Sequence, residues 1–321
     1  MVSTLLNFLW SEISPPLSGE DRVKVIRFPS ECIPQLFLGF DNKSRRCLLL
    51  KDKDDLKISL VQRENISLDY LHDLSSNYLV IRLDNECFED LFDDLILSIY
   101  HQIEKKSSGF ELSKEFISTF HKWSEFFDSR LVSNLSYEAL SGLMGELVYL
   151  RHLLNDANFV TINEVLKSWR GPYDDRTDFV LSDRRVEVKT ISNTRKEVRI
   201  SSEFQLEEES GLGIELAVIS VEKDASGGIS LKEKLMEIKD CTLSLCGDFS
   251  IIVHALKKLG LSYSSIGKYD NIRFRFISMA IYDASMKTFP KLVKSSLPAG
   301  IKKVKYSLAL SELSNYLISE N

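Results

Sequence analysis

Residues 179–191 constrain the fold more tightly than any other stretch, because here the sequence leaves a helical period and takes up a period of two. Phe179-Val180-Leu181 is a short apolar run, Ser182-Asp183-Arg184 is a turn, and residues 185–191 alternate apolar and polar side chains. That pattern predicts a hairpin. Successive strand side chains point to opposite faces, so Glu187 and Lys189 share one face while Val186 and Val188 pack on the other. Asp178 starts the preceding strand and lies across the hairpin from them, so that two carboxylates and an ammonium converge. Oxygen ligands of this kind suit Mg²⁺ or Mn²⁺, and a neighbouring lysine can orient or help deprotonate a water while stabilising charge on a phosphate. The triplet alone is uninformative, since Asp55-Leu56-Lys57, Glu104-Lys105-Lys106 and Glu237-Ile238-Lys239 have the same form. None of those follows an apolar strand opened by an aspartate. The competing reading of Glu187 and Lys189 is an exposed strand face with an ordinary ion pair.

The preceding segment, 137–154, is a strongly periodic helix with Leu140, Leu143, Leu147, Leu150 and Leu154 on one side. At about 100° per residue Glu146 falls between Ala139, Leu143, Leu150 and Leu153, on the apolar face. Acids are rarely buried without a partner, so Glu146 pairs with a buried arginine, lies at the rim of the apolar stripe, or belongs to the same site. Gly142 and Gly145 beside it allow a backbone or ligand to approach closely. Strands are expected over 198–206, 214–221 and 272–281 and helices over 231–238 and 249–259, which makes a mixed sheet flanked by helices.

The first part of the chain reads differently. Short apolar runs at 23–28, 35–40, 47–50, 58–61 and 78–83 predict a small antiparallel β-domain, followed by a helix over 88–104 and another carrying Phe116, Phe120, Trp123 and Phe127. We therefore expect an α+β or α/β chain with a boundary near residue 130: a β-rich region with connecting helices over 1–130, and a helix-flanked mixed sheet over 131–321.

The 321 residues, 44% hydrophobic and 27% charged, have the balance of a folded soluble protein. No segment approaches the roughly 18 consecutive apolar residues of a membrane-spanning helix. The apolar 1–10 stretch lacks a basic start and runs into Glu12 and Pro15-Pro16, and the five cysteines are scattered, so a cytoplasmic location is expected. A net charge of −6 conceals an asymmetry: residues 84–94 hold six acids and no base, whereas 287–305 hold six lysines and no acid. Lys287, Lys291, Lys294, Lys302, Lys303 and Lys305 are spaced like a phosphate-contacting surface, to which Phe289 and Tyr306 add stacking; the alternative is a solvated charged tail. Walker, Rossmann and Gly-x-Ser-x-Gly motifs are absent from the sequence.

Taken in order, Glu146, Asp178 and Glu187-Val188-Lys189 resemble the PD-(D/E)XK nuclease superfamily, with its restriction-endonuclease-like fold. Trp169, Gly171-Pro172, Thr177-Asp178-Phe179, Thr190, Ser201-Ser202-Glu203-Phe204-Gln205-Leu206, Leu36-Phe37-Leu38-Gly39-Phe40-Asp41 and Arg46-Cys47-Leu48-Leu49-Leu50 extend the resemblance over most of the chain, to bacterial members found near restriction and phage-defence genes. Thr177 stands where the motif has proline, and Asp174 and Asp175 are alternative acids.

The resemblance implies a mixed sheet flanked by helices in which Asp178, Glu187 and the Val188 carbonyl bind Mg²⁺, or Mn²⁺ in its place. Glu146 would supply a further ligand, Lys189 would position the attacking water, and Gln205 would match a glutamine that orients substrate or metal-held water in resolvase-like and Mrr-like nucleases. The function implied is a Mg²⁺-dependent DNA endonuclease leaving 5′-phosphate and 3′-hydroxyl ends, the effector of a restriction or anti-phage system. ATPase or methyltransferase partner subunits and a homodimer are compatible with it. The alternatives are a non-catalytic DNA- or partner-binding subunit, and an exonuclease, resolvase or RNase using the same site.

Overall fold

The computed structural model describes residues 2–16, 23–29, 32–52, 60–73, 76–106, 110–127, 135–209 and 211–321. The chain divides into two compact units, Met1–Leu131 with Ser262–Ser264, and Val132–Leu261 with Ser265–Asn321. Residues 58 and 59 of the 58–61 run and the expected boundary near residue 130 lie outside the described residues.

In the first unit, α1 (Val2–Glu12) precedes β1 (Lys24–Arg27), β2 (Leu36–Phe40), β3 (Arg46–Asp52), β4 (Val61–Gln62), β5 (Ile66–Asp73) and β6 (Ser76–Leu83), which form an antiparallel sheet in the order β1-β2-β3-β6-β5-β4. The helices α2 (Glu89–Ile103) and α3 (Phe110–Ser124) follow. Leu48 and Leu50 of β3 and Leu91, Phe92, Leu95 and Ile96 of α2 are buried, and Asp52, also buried, accepts hydrogen bonds from Ser113 and Tyr70 (3.0 and 3.1 Å). The small β-domain with connecting helices is present.

The second unit opens with α4 (Tyr137–Leu153), whose first turn is capped by Ser136 accepting the Ala139 N–H. Then come α5 (Ile162–Ser168), β7 (Phe179–Val180), β8 (Arg184–Ser192), β9 (Glu197–Ile200), β10 (Gly213–Lys223), β11 (Ile229–Ser230), α6 (Leu231–Ser244), α7 (Ser250–Lys258), β12 (Arg273–Asp283), β13 (Tyr306–Ala309) and β14 (Leu317–Glu320). The sheet order is β11-β12-β10-β8-β7, with β14 also on β12. Among the described residues only the β8–β10 pairing within it is parallel, and it sets Glu187 beside Leu216 and Lys189 beside Val218. This is the helix-flanked mixed sheet of the restriction-endonuclease-like fold.

A parallel pair needs a crossover. Residues 193–212 supply it by leaving the sheet as β9, which pairs antiparallel with β13 in a separate ribbon. Beneath that ribbon Val198, Ile200, Leu216, Val218, Phe289 and Leu308 form a buried core. The opposite face receives α4: a Cβ on Gly145 would overlap Thr190 Oγ1, so the missing side chain is what lets helix and strand meet. Gly142 has no such role, since a Cβ there meets nothing within 4 Å among the described residues.

The strand expected over 198–206 ends at Ile200. The Gln205 side chain accepts the Ser201 N–H (2.8 Å) and Glu203 accepts the N–H groups of Lys303 and Val304 (3.1 and 2.9 Å), so the backbone turns there instead of extending.

Gly145→Val is expected to destabilise the protein by about 1–3 kcal/mol through overpacking, whereas Gly142→Ala gains up to about 1 kcal/mol from helix propensity. Urea midpoints of the two variants check this, and equal shifts would contradict the packing of α4 on β8.

Candidate active site

The hairpin register is Phe179 opposite Val186 and Val180 opposite Arg185. One step further places Asp178 opposite Glu187. The Val188 N–H donates to Asp178 Oδ2 (2.7 Å), while the N–H groups of Arg170 and Gly171 donate to the Asp178 carbonyl (2.7 and 3.0 Å). Asp178 is thus held through both side chain and backbone. Glu187 is 1% exposed in the middle of β8, and its Oε1 accepts from Lys189 Nζ at 2.5 Å.

Glu146 reaches this group from α4. The Trp169 indole N–H donates to Glu146 Oε2 (2.7 Å), and Trp169 itself bridges Phe179 at the start of β7. Gly171 closes the arrangement: a Cβ there would lie 2.6 Å from Glu146 Oε2 and 3.1 Å from Asp178 Oδ1. Both oxygens therefore border the same small space, which any other side chain would fill.

Three carboxylates around one ammonium leave an excess of negative charge, and burial magnifies it. Burial, then repulsion from Asp178, pushes Glu146 up to about 8 against the indole hydrogen bond and Lys189. Burial raises Asp178 despite Lys189 and the Val188 N–H. Glu187 is driven well above the ordinary carboxylate range by burial and by Asp178, with Lys189 opposing. Such a set fits a divalent cation: its donors are all oxygen, its charge is uncompensated, and Gly171 keeps the adjoining space open. Among the described residues no three His, Cys, Asp or Glu side chains already stand as an ion cage. Each of the three acids is instead engaged by a donor of the protein.

Asp178, Glu187, Val188, Lys189 and Glu146 are brought together. Asp175, the alternative acid, is taken by Arg185 (2.9 Å) and Arg170 (3.5 Å), and Asp174 sits at a left-handed backbone position. Gln205 is not joined to the cluster. It lines an open groove of about 340 Å³ with Asp175, Arg176, Ser202 and Phe204, and its carbonyl caps the 201–205 turn.

The lysines divide into two groups. Lys287, Lys302, Lys303 and Lys305 are exposed, whereas Lys291 is bound by Glu208 and the Ala284 carbonyl (both 2.7 Å) and Lys294 reaches the Ile301 carbonyl (3.4 Å). Phe289 is buried against Tyr316 and offers no ring for stacking. Sequence reasoning assigned no role to Trp169 or Gly171, which hold and border the acids. Their signal was their place among the residues that carry the family resemblance, shortly before Asp178.

A family model described as "Putative PD-(D/E)XK family member, (DUF4420)" matches residues 6–311. The chain belongs to this family. The match spans both units of this DUF4420 member, so the β-rich first unit is part of the family's architecture as well as the sheet that carries the acids. No curated protein and no solved structure matches the chain significantly.

The raised Glu146 makes a pH prediction. Between its ordinary value of 4.5 and about 8 the unfolded chain has released a proton that the folded chain retains, so metal-free stability falls as pH rises through that window. Glu146→Gln should remove the Glu146 part of this dependence, leaving that of Asp178 and Glu187, and stabilise the protein at pH 8 by roughly 1–3 kcal/mol. Denaturation midpoints across the window check it. A variant less stable than wild type at pH 8 would make Glu146 a structural partner of Trp169.

Proposed function

We propose that the chain is a Mg²⁺-dependent nuclease that hydrolyses phosphodiester bonds of DNA, with Asp178, Glu187 and Glu146 as side-chain ligands and Lys189 as the catalytic cation. The observation that carries this reading is Glu187, a buried carboxylate at the centre of the sheet, flanked by two further acids and touched by one lysine. A surface ion pair needs no such burial, and a purely structural pair would be matched in charge.

Asp178, Glu187 and Glu146, with the Val188 carbonyl, would hold the ion. When bound, Mg²⁺ supplies Lewis acidity toward a phosphoryl oxygen and lowers the pKa of a water. Lys189 stays partly open to solvent, its side chain 18% exposed, and orients the attacking water while its charge offsets that of the phosphate. Asp178 is fixed by the Val188 N–H, so it need not reorganise. Trp169 holds Glu146 in place, and Gly171 leaves room for the substrate beside both acids. An endonuclease of a restriction or anti-phage system is the role that the family resemblance favours, and the exposed lysines at 287, 302, 303 and 305 would contact backbone phosphates.

Purified protein is expected to cut supercoiled DNA in Mg²⁺ or Mn²⁺ and not in EDTA, and Lys189→Ala should cut at least about 100-fold more slowly while remaining folded. Full activity in Lys189→Ala would contradict the mechanism. Cutting of linear but not circular DNA would redirect it to an exonuclease.

A further inference from the structure

The 201–206 turn carries a second feature that the acid cluster does not use. Phe204 is 37% exposed on it, and the Arg176 guanidinium lies over its ring, 5.6 Å from the centroid. Arg176 is itself 55% exposed, and its carboxylate partner, Glu209 at 3.3 Å, is held more closely by Arg185 at 2.6 Å. Both Phe204 and Arg176 line the open groove of about 340 Å³. Arg176 lies two residues before Asp178, so their Cα atoms are within about 7 Å of each other.

The same turn is fastened to the lysine-rich segment. Glu203, the neighbour of Phe204, is buried, and its carboxylate binds the backbone N–H groups of Lys303 and Val304. The Lys294 N–H donates to the Glu203 carbonyl (3.1 Å), and the Ser295 N–H donates to Glu207 (2.9 Å). The backbone of the exposed Lys302-Lys303 pair is thereby fastened to the residue next to Phe204, whose exposed ring carries a guanidinium. A cationic track next to a stacking face is the combination that binds single-stranded nucleic acid, because every base has a π-face and every phosphate a charge. Bases within a duplex are stacked on one another and cannot enter a groove in this way.

We propose that Phe204 and Arg176 receive an unpaired base next to the scissile phosphate, with Lys302 and Lys303 on the adjoining backbone, so that the preferred substrate is single-stranded or carries an unpaired stretch. The proposal deepens the nuclease reading and rests on it for the word scissile. Binding itself is independent of cutting. Phe204 is the specificity residue, Arg176 extends its stack, and Glu203 is a positioning residue that holds the lysines in place.

The test is fluorescence anisotropy of the full chain in EDTA with labelled oligothymidylate and a blunt hairpin duplex, alongside cleavage of the same molecules in Mg²⁺. Oligothymidylate should bind at least about tenfold tighter than the duplex. Phe204→Ala should weaken single-strand binding about 5- to 100-fold with little change on the duplex, and Phe204→Trp should restore it. Lys302→Gln with Lys303→Gln should reduce the salt dependence on both. Unchanged single-strand affinity in a folded Phe204→Ala, or an equal loss on both molecules, would overturn the proposal. Wild type that binds as stated yet cuts neither molecule would keep the platform and remove the nuclease. Cutting without any single-strand preference would keep the nuclease and remove the platform.

Discussion

The second unit is organised around the burial of Glu187 in a strand that is paired on both sides. β8 lies between β7 and β10, and its parallel partnership with β10 is what forces the chain out of the sheet as β9 before it returns. A carboxylate at such a position is costly unless something compensates it, and Lys189 compensates only part of the charge present once Asp178 and Glu146 are counted. The site is a local loss of stability, sustained by the apolar core under the β9–β13 ribbon and by α4 on the opposite face. Stability given up at one place for charge that only a ligand can neutralise is the usual mark of a binding centre.

Two absent side chains make the arrangement sterically possible. Gly145 lets α4 settle against Thr190, which brings the next residue, Glu146, to the acids; Gly171 keeps clear the space that Glu146 and Asp178 share. Trp169 then joins the two halves, pairing through its backbone with Phe179 and through its indole with Glu146. Geometry and electrostatics are coupled here, since moving the helix outward would relieve the repulsion and disperse the ligands.

What could be read from the sequence was whatever depends on local period. The turn after Leu181 was legible, though it closes over Ser182-Asp183, one residue shorter than expected, and that length sets Asp178 opposite Glu187; the helical repeat places Glu146 on the inner face. The antiparallel first unit followed from its short apolar runs in the same way. Contacts between residues distant in sequence were not legible. Nothing local distinguishes Lys291, bound by Glu208, from Lys302, which is exposed, or shows that Phe289 is buried against Tyr316. Gln205 fell near the end of the strand expected over 198–206. The competing side-chain hydrogen bonds of Gln205 and Glu203 to backbone N–H groups end the strand at Ile200 instead. Asp175 and Asp178 were separable on the apolar run after Asp178, and the arginines that claim Asp175 give the physical reason.

The most direct test of a cation-binding centre at Glu187 is isothermal titration of Mg²⁺ and Mn²⁺ into the full chain and into Asp178→Asn, at a pH above 8, past the raised value of Glu146. Saturable binding by the wild type, lost in the variant, is the predicted result. Equal heats in the two proteins, or no binding by a folded wild type, would contradict the account and reduce the cluster to a buried ion pair.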